Sequence, residues 1–146
     1  MTSPAERYAA ARRRAAMQAL TDFTAELEFQ LDDFQMRACE ALEHGSGVLV
    51  CAPTGAGKTV VGEFAVFLAL REGRKCFYTT PIKALSNQKF HDLVQVHGAA
   101  KVGLLTGDNS INGDAPVVVM TTEVLRNMLY AKSPALQGLS LSLIHI

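Results

Sequence analysis

Residues 48–59 are Val-Leu-Val-Cys-Ala-Pro-Thr-Gly-Ala-Gly-Lys-Thr, an apolar run and a glycine-rich turn followed by a Lys-Thr pair that opens a helix. Gly55 and Gly57 lack a Cβ atom, so the turn can curl with its backbone N–H groups pointing inward. The start of the following helix adds unpaired N–H groups and a positive dipole end. Lys58 is expected to reach the β and γ phosphates of a nucleotide, and the Thr59 hydroxyl to bind the bridging Mg²⁺ ion. The stretch therefore predicts a polyphosphate site, with Lys58 and Thr59 as its catalytic residues and Thr59 as its metal ligand.

The sequence around this loop supports the prediction. The usual pattern begins with Gly, whereas this chain has Ala52, the next smallest residue. Residues 47–52 are apolar and β-branched, which predicts a strand, and residues 60–70 form an apolar helical run. The alternative is a chance glycine-rich turn, but no turn type requires a Gly-Lys-Thr ending. The predicted nucleotide-binding residues of the loop are Ala52, Pro53, Thr54, Gly55, Ala56, Gly57, Lys58 and Thr59.

Composition limits the other possibilities. A chain of 146 residues is long enough for one domain with a core, and its 14 basic and 14 acidic residues cancel. Any nucleic-acid contact must therefore come from local loops and not from a globally basic surface. The three cysteines are far apart and lack metal-ligand spacing, which is typical of core thiols in a reducing cytoplasm. Glu63 interrupts the longest apolar run, so we expect no membrane contact and a cytoplasmic location.

The rest of the chain alternates between strands and helices. Residues 4–27 predict a helix with a weak apolar stripe, more typical of a solvated extension than of a nucleic-acid arm. Asp32 and Gln35 have the spacing of a reciprocal helix cap. The later predicted elements are a helix over 60–70, a strand over 75–79, a helix capped at Thr80-Pro81, a strand over 102–105, a strand over 117–120 and a helix over 123–131. This alternation predicts an α/β fold, a parallel sheet with helices on both faces.

Three polar clusters each follow a predicted strand, over residues 79–83, 106–108 and 121–123. Ligands of parallel sheets bind at the carboxyl ends of the strands. Hydroxyls, helix-start N–H groups and a lysine are donors that grip a phosphodiester backbone without selecting bases. The alternative is that Thr80 and Thr121 or Thr122 only cap helices, which would explain each cluster but not their shared position.

The motifs taken together resemble the amino-terminal part of a superfamily 2 helicase of the Ski2-like group, most similar to its actinobacterial members. Residues 52–59 resemble motif I, 81–89 motif Ia, 106–108 motif Ib, 121–123 the following motif and 29–35 the adenine-recognising Q-type motif. The resemblance implies an incomplete RecA-like motor domain that uses ATP and Mg²⁺. It also implies that Gln35 contacts adenine and that an RNA or DNA backbone is bound. The residues expected to bind nucleic acid are Pro81, Lys83, Thr106, Gly107 and Thr122.

The resemblance extends to Ser140 and predicts three segments. These are an amino-terminal helical extension over 1–27, the first half of the ATP-binding domain over 28–140 and a non-native tail over 141–146. The tail is similar to the translation of a transposase adaptor used in sequencing libraries; taken as protein, it would form a short apolar strand. The family's Asp-Glu-Val-His box does not occur in these 146 residues. We therefore expect the chain to be inactive alone, its missing partners being the rest of the first motor domain and a second one.

Two other functions stay open beside an ATP-dependent RNA or DNA helicase. The first is another ATPase class with the same loop, such as a transporter subunit or a nucleotide kinase. A Leu-Ser-Gly-Gly signature would favour the transporter and is absent, whereas the helix after residue 80 begins Pro-Ile-Lys-Ala-Leu instead of forming an arginine lid. The second is an inert or nucleotide-binding-only fragment.

Overall fold

The computed structural model describes residues 3–46, 57–137 and 139–144. The chain divides into two compact units, Met1–Leu68 and Ala69–Ile146, which we describe separately. No helix in the described ranges has the length and apolar character needed to cross a membrane. The predicted strand over 47–52 and Cys51 lie outside the described residues.

The first unit is built around three helices. They are α1 (Pro4–Ala25), α2 (Asp33–Glu43) and α3 (Lys58–Arg71). Their shared core consists of buried apolar side chains, namely Ala19, Leu20, Phe23, Ala38, Cys39, Val61, Phe64 and Leu68. Phe23 of α1 meets Phe64 of α3 edge to face with ring centroids 5.3 Å apart, a favourable aromatic geometry. This core holds the start of α3 close to α2.

The second half of α1 corrects one expectation. The helix forms as predicted, and its residues from 3 to 12 are exposed, as a solvated extension would be. Ala19, Leu20 and Phe23 are instead buried in the core. They lie at i, i+1 and i+4, on one face of the helix. The first half of the helix is polar, so the apolar pattern is weak when it is averaged over the whole helix. For this reason the sequence did not predict the packing face in the second half.

Both ends of α2 follow the sequence pattern. Asp32 is the N-cap residue, and its backbone N–H donates to the Gln35 side-chain oxygen at 2.8 Å. At the other end Gly45 has a φ of +83°, which glycine adopts without steric cost. The cap predicted from Asp32 and Gln35 is confirmed.

The second unit contains a mixed sheet covered by helices. Its strands are β1 (Lys75–Thr80), β2 (Val102–Leu105), β3 (Ser110–Ile111), β4 (Val117–Thr121) and β5 (Leu139–Ile144). Among the described residues they form one sheet in the order β3-β2-β4-β1-β5. β1 pairs in parallel with β4 and β5, and β2 pairs in parallel with β4. The predicted parallel core is confirmed, with β3 added as an antiparallel edge.

Helices α4 (Lys83–His97) and α5 (Thr122–Tyr130) lie on opposite faces of this sheet. Leu125 of α5 belongs to the same buried cluster as Phe77 of β1. The Lys89 ammonium of α4 lies 5.2 Å from the ring centroid of Tyr78, the next residue of β1. Successive strand residues point to opposite faces, so the two helices cover different sides.

The start of α4 differs from the prediction. Thr80 and Pro81 do not open the helix, because the helix begins at Lys83 and its N-cap residue is Ile82. The Thr80 hydroxyl is directed elsewhere: it donates to the Ile82 carbonyl oxygen at 3.0 Å. Thr80 is the last residue of β1, and its bond to Ile82 lies within the short connection between β1 and α4.

The last described segment is also a strand. β5 pairs with β1 in the register Phe77↔Ser142, so residues 141–144 have the strand conformation expected if the tail is taken as protein. Residues 145–146 of the predicted tail lie outside the described residues. The division of the chain at residues 27 and 140, with a non-native tail over 141–146, stays a prediction, because strand pairing does not depend on the origin of a segment.

Candidate nucleotide and nucleic-acid sites

Gln35 connects α2 to the start of α3. Its side chain is only 4% exposed, and its amide oxygen accepts the Asp32 N–H. Its Nε2 donates to the carbonyl oxygen of Gly57 at 2.9 Å, a contact between residues that are 22 positions apart. The predicted adenine-binding residue therefore lies against the last glycine of the predicted phosphate loop.

Two separate features of the structure require glycine at position 57. Its φ is +84°, a backbone conformation that L side chains rarely adopt. A Cβ atom at this position would lie 2.5 Å from Nε2 of Gln35, which is closer than real contacts allow. The absence of a side chain at Gly57 is thus what permits the bond to Gln35.

Lys58 and Thr59 form the first turn of α3, as the loop pattern predicted. Lys58 is half-buried and Thr59 is exposed, so the hydroxyl faces solvent at a helix start. The described ranges contain no cluster of three His, Cys, Asp or Glu side chains suited to a metal ion. The other predicted loop residues, Ala52, Pro53, Thr54, Gly55 and Ala56, lie outside the described residues.

The predicted nucleic-acid residues share one edge of the sheet in the second unit. β1, β2 and β4 are parallel, and they end at Thr80, Leu105 and Thr121. Each predicted residue follows one of these carboxyl ends: they are Pro81, Lys83, Thr106, Gly107 and Thr122. The structure brings together all five at the edge where parallel sheets bind ligands.

Side-chain hydroxyls connect the end of β1 to the starts of α4 and α5. The Thr80 and Ser86 hydroxyl oxygens are 2.6 Å apart, and both side chains are buried. The Thr122 hydroxyl at the start of α5 donates to the Thr80 carbonyl oxygen at 3.2 Å. The starts of α4 and α5 are therefore tied to the same residue of β1.

Asp108 pairs with two predicted nucleic-acid residues. Lys83 Nζ forms an ion pair with Asp108 Oδ2, and the Thr106 hydroxyl donates to Asp108 Oδ1 at 3.2 Å. The hydrogen bond from Lys83 holds the pKa of the Asp108 carboxyl below its ordinary value, and the Thr106 hydroxyl acts in the same direction. Asp108 is therefore ionised at neutral pH.

Sequence reasoning missed the contacts of Ser86 and Asp108. Ser86 lies inside a helix where its hydroxyl has no local pattern to identify it. Asp108 lies in the segment 106–108 that resembles motif Ib, but its pairing with Lys83 joins positions 25 residues apart. Local spacing carries no information about such a pair.

Comparison with known proteins gives the family. The sequence matches the DEAD/DEAH box helicase family over residues 32–144, which is most of the chain. The chain belongs to this family. Membership implies the use of ATP. The matched range includes Gln35, Lys58 and every strand-end residue described above.

The similar proteins confirm the resemblance to Ski2-like helicases. The chain is 78% identical over 121 residues to "Probable helicase HelY" of Mycobacterium tuberculosis, covering 83% of this chain and 13% of that protein. It is 55% identical to "DExH-box ATP-dependent RNA helicase DExH15 chloroplastic" of Arabidopsis thaliana over 70% of this chain and 9% of the relative. It is 54% identical to "Antiviral helicase SKI2" of Saccharomyces cerevisiae over 70% of this chain and 8% of the relative. The chain thus spans a small part of the length of each relative.

Proposed function

We propose that this chain is the ATP-binding and strand-binding segment of an ATP-dependent RNA or DNA helicase of the Ski2-like group. The observation that carries the proposal is that Lys83, Thr106 and Thr122 all lie at the carboxyl ends of three parallel strands, on the same side of the sheet. A phosphate loop alone is common to many ATPases. A second set of phosphate donors on separate strand ends favours an enzyme that also grips a nucleic-acid backbone.

At the nucleotide site, Lys58 would contact the β and γ phosphates, supported by the N–H groups of the first turn of α3. The cradle itself would be completed by residues 52–57. Thr59 would hold Mg²⁺ through its hydroxyl, a hard oxygen donor that is exposed at the helix start. Mg²⁺ needs few protein ligands because phosphate oxygens and waters fill its octahedron, so the residues present fit the ion. Bound Mg²⁺ supplies charge neutralisation between the β and γ phosphates.

Gln35 would recognise the adenine edge. A side-chain amide has two N–H donors and two acceptor sites on its oxygen. The described contacts of Gln35 use one donor, towards Gly57, and one acceptor site, from Asp32. The remaining donor and acceptor site match N7 and N6 of adenine, a pairing that side-chain amides make in DNA recognition. The same side chain would thus link base recognition to the end of the phosphate loop.

At the carboxyl ends of the strands, Lys83 would provide a cation and Thr106 its hydroxyl as donors to phosphodiester oxygens. Thr122 would provide its backbone N–H at the start of α5, because its hydroxyl donates to the Thr80 carbonyl oxygen. Gly107 is exposed and a Cβ atom there would meet no atom within 4 Å, which leaves room for a backbone to approach its N–H. Pro81 is exposed between β1 and α4. All of these contacts are independent of base identity, as a motor that moves along a strand requires.

Calorimetric titration of the 146-residue chain with ATP and Mg²⁺ tests the nucleotide site. Lys58→Ala should abolish measurable binding, because it removes the charge opposite the γ phosphate. Gln35→Ala should weaken the preference for ATP over GTP. Lys101→Ala is the matched control, since Lys101 is an exposed cation on a short 3-10 turn of the second unit. Equal ATP affinity in the wild type and Lys58→Ala would exclude the loop as the site.

A further inference from the structure

The Asp108 carboxylate holds two donors that the proposed function assigns to a nucleic-acid backbone. Its Oδ2 pairs with Lys83 Nζ, and its Oδ1 accepts the Thr106 hydroxyl at 3.2 Å. Lys83 follows β1 and Asp108 follows β2, while β4 lies between these strands in the sheet. The ion pair therefore connects the segments that follow the two strands flanking β4, and the carboxyl end of β4 leads into Thr122.

A carboxylate and a phosphodiester present the same chemistry to these donors. Each carries one negative charge spread over two oxygens, and each accepts charge-assisted hydrogen bonds. A pair of donors that binds one can bind the other. The contacts of Asp108 thus indicate that Lys83 and Thr106 are arranged to take an oxyanion.

The ion pair is weak enough to be exchanged. The side chains of Lys83 and Asp108 are 49% and 66% exposed, and exposed pairs contribute little because water and salt screen them. A single small anion that displaced Asp108 would gain only the contacts that it replaced. A strand would also gain the neighbouring contacts at Gly107 and Thr122, so it would displace Asp108 with a net benefit.

We propose that Asp108 is an internal competitor for the nucleic-acid backbone: its carboxylate occupies Lys83 and Thr106 until a phosphodiester group of a bound strand replaces it. This inference rests on the proposed strand-binding function. Asp108 then lowers the affinity for any single phosphate and favours ligands that bring several phosphates at once. It acts through Lys83 and is a positioning residue, not a catalytic one.

Fluorescence anisotropy with a labelled single-stranded oligouridylate, and with its DNA counterpart, tests the exchange in the 146-residue chain. Asp108→Asn should bind the strand about two- to tenfold more tightly than the wild type at low salt, because it removes a competing charge. Asp108→Ala provides a second variant of the same change. Lys83→Met should weaken binding, and Asp108→Asn should gain less in the Lys83→Met background, as coupled residues do.

Asp92→Asn is the matched control. It makes the same change in net charge, but Asp92 is an exposed residue about 13 Å further along α4 than Lys83. Its affinity for the strand should stay close to that of the wild type. A gain for Asp92→Asn equal to that for Asp108→Asn would mean that net charge alone is responsible, and would overturn the inference.

A second readout follows the carboxylate directly. Carboxyl-carbon NMR of Asp108 should give a pKa below the ordinary value in the wild type, and a higher pKa in Lys83→Met and in the strand-bound protein. If the wild type binds the strand and Lys83→Met binds it less, but Asp108→Asn binds no more tightly than the wild type, the competitor role is wrong and strand binding stands. If neither the wild type nor Asp108→Asn binds any strand, the proposed function fails and this inference fails with it.

Discussion

At the scale of single residues, glycine is required at two positions for different physical reasons, and at a third position it leaves space for a ligand. Gly57 has a positive φ and lies against Gln35. Gly103 lies within β2, where a Cβ atom would be 2.1 Å from the carbonyl oxygen of Asn112. Gly107 follows the same strand, yet its surroundings within the protein are open. Gly57 and Gly103 are thus explained by the fold, while the space at Gly107 is available to a ligand.

Substitution by Ala should therefore affect stability at Gly103 and strand binding at Gly107. Gly103→Ala should lower the free energy of unfolding by about 2 kcal/mol or more, because the new methyl group meets rigid backbone. Gly107→Ala should change it by less than about 0.5 kcal/mol, but should weaken strand binding by filling the approach to its N–H. Urea denaturation and anisotropy measure the two effects. Equal strand affinity in Gly107→Ala and wild type would remove Gly107 from the site.

The reactivity of the thiols of Cys39 and Cys76 tests whether these side chains are buried. Burial raises the pKa of Cys39 and of Cys76 from the ordinary value of 9.0 to about 12. At pH 8 the thiolate fraction should be about a thousandfold lower than in the unfolded chain, so iodoacetamide should label both residues slowly until urea is added. Because the unfolded thiols ionise first, the free energy of unfolding should fall as the pH rises from 9.0 towards 12. Peptide mass spectrometry measures each site separately, and equally fast labelling with and without urea would contradict the burial.

At the scale of elements, the starts of α4 and α5 depend on side-chain contacts near the end of β1. The Thr80 hydroxyl donates to Ile82 and therefore accepts the Ser86 hydroxyl of α4. The Thr80 carbonyl oxygen accepts the hydroxyl of Thr122 of α5. Buried hydroxyl pairs are costly to break because the remaining partner stays unsatisfied. This arrangement fixes the helix that carries Lys83 and the helix that carries Thr122 to one strand.

Thr80→Val should lower the free energy of unfolding by about 1–3 kcal/mol, because it keeps the shape of Thr80 but removes its bonds to Ile82 and Ser86. Combining it with Ser86→Ala should cost less than the sum of the two single changes. Thr122→Val should cost less than Thr80→Val, because Thr122 is exposed and loses only its hydroxyl bond to the Thr80 carbonyl oxygen. Denaturation curves that gave additive losses for Thr80→Val and Ser86→Ala would mean that the two hydroxyls do not interact.

At the scale of the whole molecule, the described sheet has an edge at β3 and another at β5. β1 is buried along most of its length and is paired on both sides, with β4 and with β5. Without β5, the N–H and C=O groups of one side of β1 would lack strand partners, which invites aggregation. Residues 139–144 therefore cover one side of β1 in the described sheet.

Adjacent proline substitutions test whether this strand pairs in solution. Successive N–H groups of a strand point to opposite sides, so one of Leu141→Pro and Ser142→Pro removes a bond to β1 and the other lies towards the open edge. One variant should lower the melting temperature more than the other, by about 2–4 °C for each kcal/mol lost in a chain of this length. Melting temperatures equal to that of the wild type in both variants would exclude the pairing of β5 with β1.

The sequence by itself determined the local elements and the chemical class of the loop. Short apolar runs, capping residues and Gly-Lys-Thr act over short distances, so they predicted β1, β2, β4 and α5 to within one residue at each end, as well as the cap of α2. It also determined that the polar clusters share an edge, since parallel strands all end on the same side.

Only the tertiary structure decided which of these groups meet. The order β3-β2-β4-β1-β5, the antiparallel edge strand and the packing of the second half of α1 depend on how distant segments pair. The bond from Gln35 to Gly57 and the ion pair of Lys83 with Asp108 join residues 22 and 25 positions apart. Local propensity does not predict such contacts, because they stabilise the protein only after folding has brought both partners together.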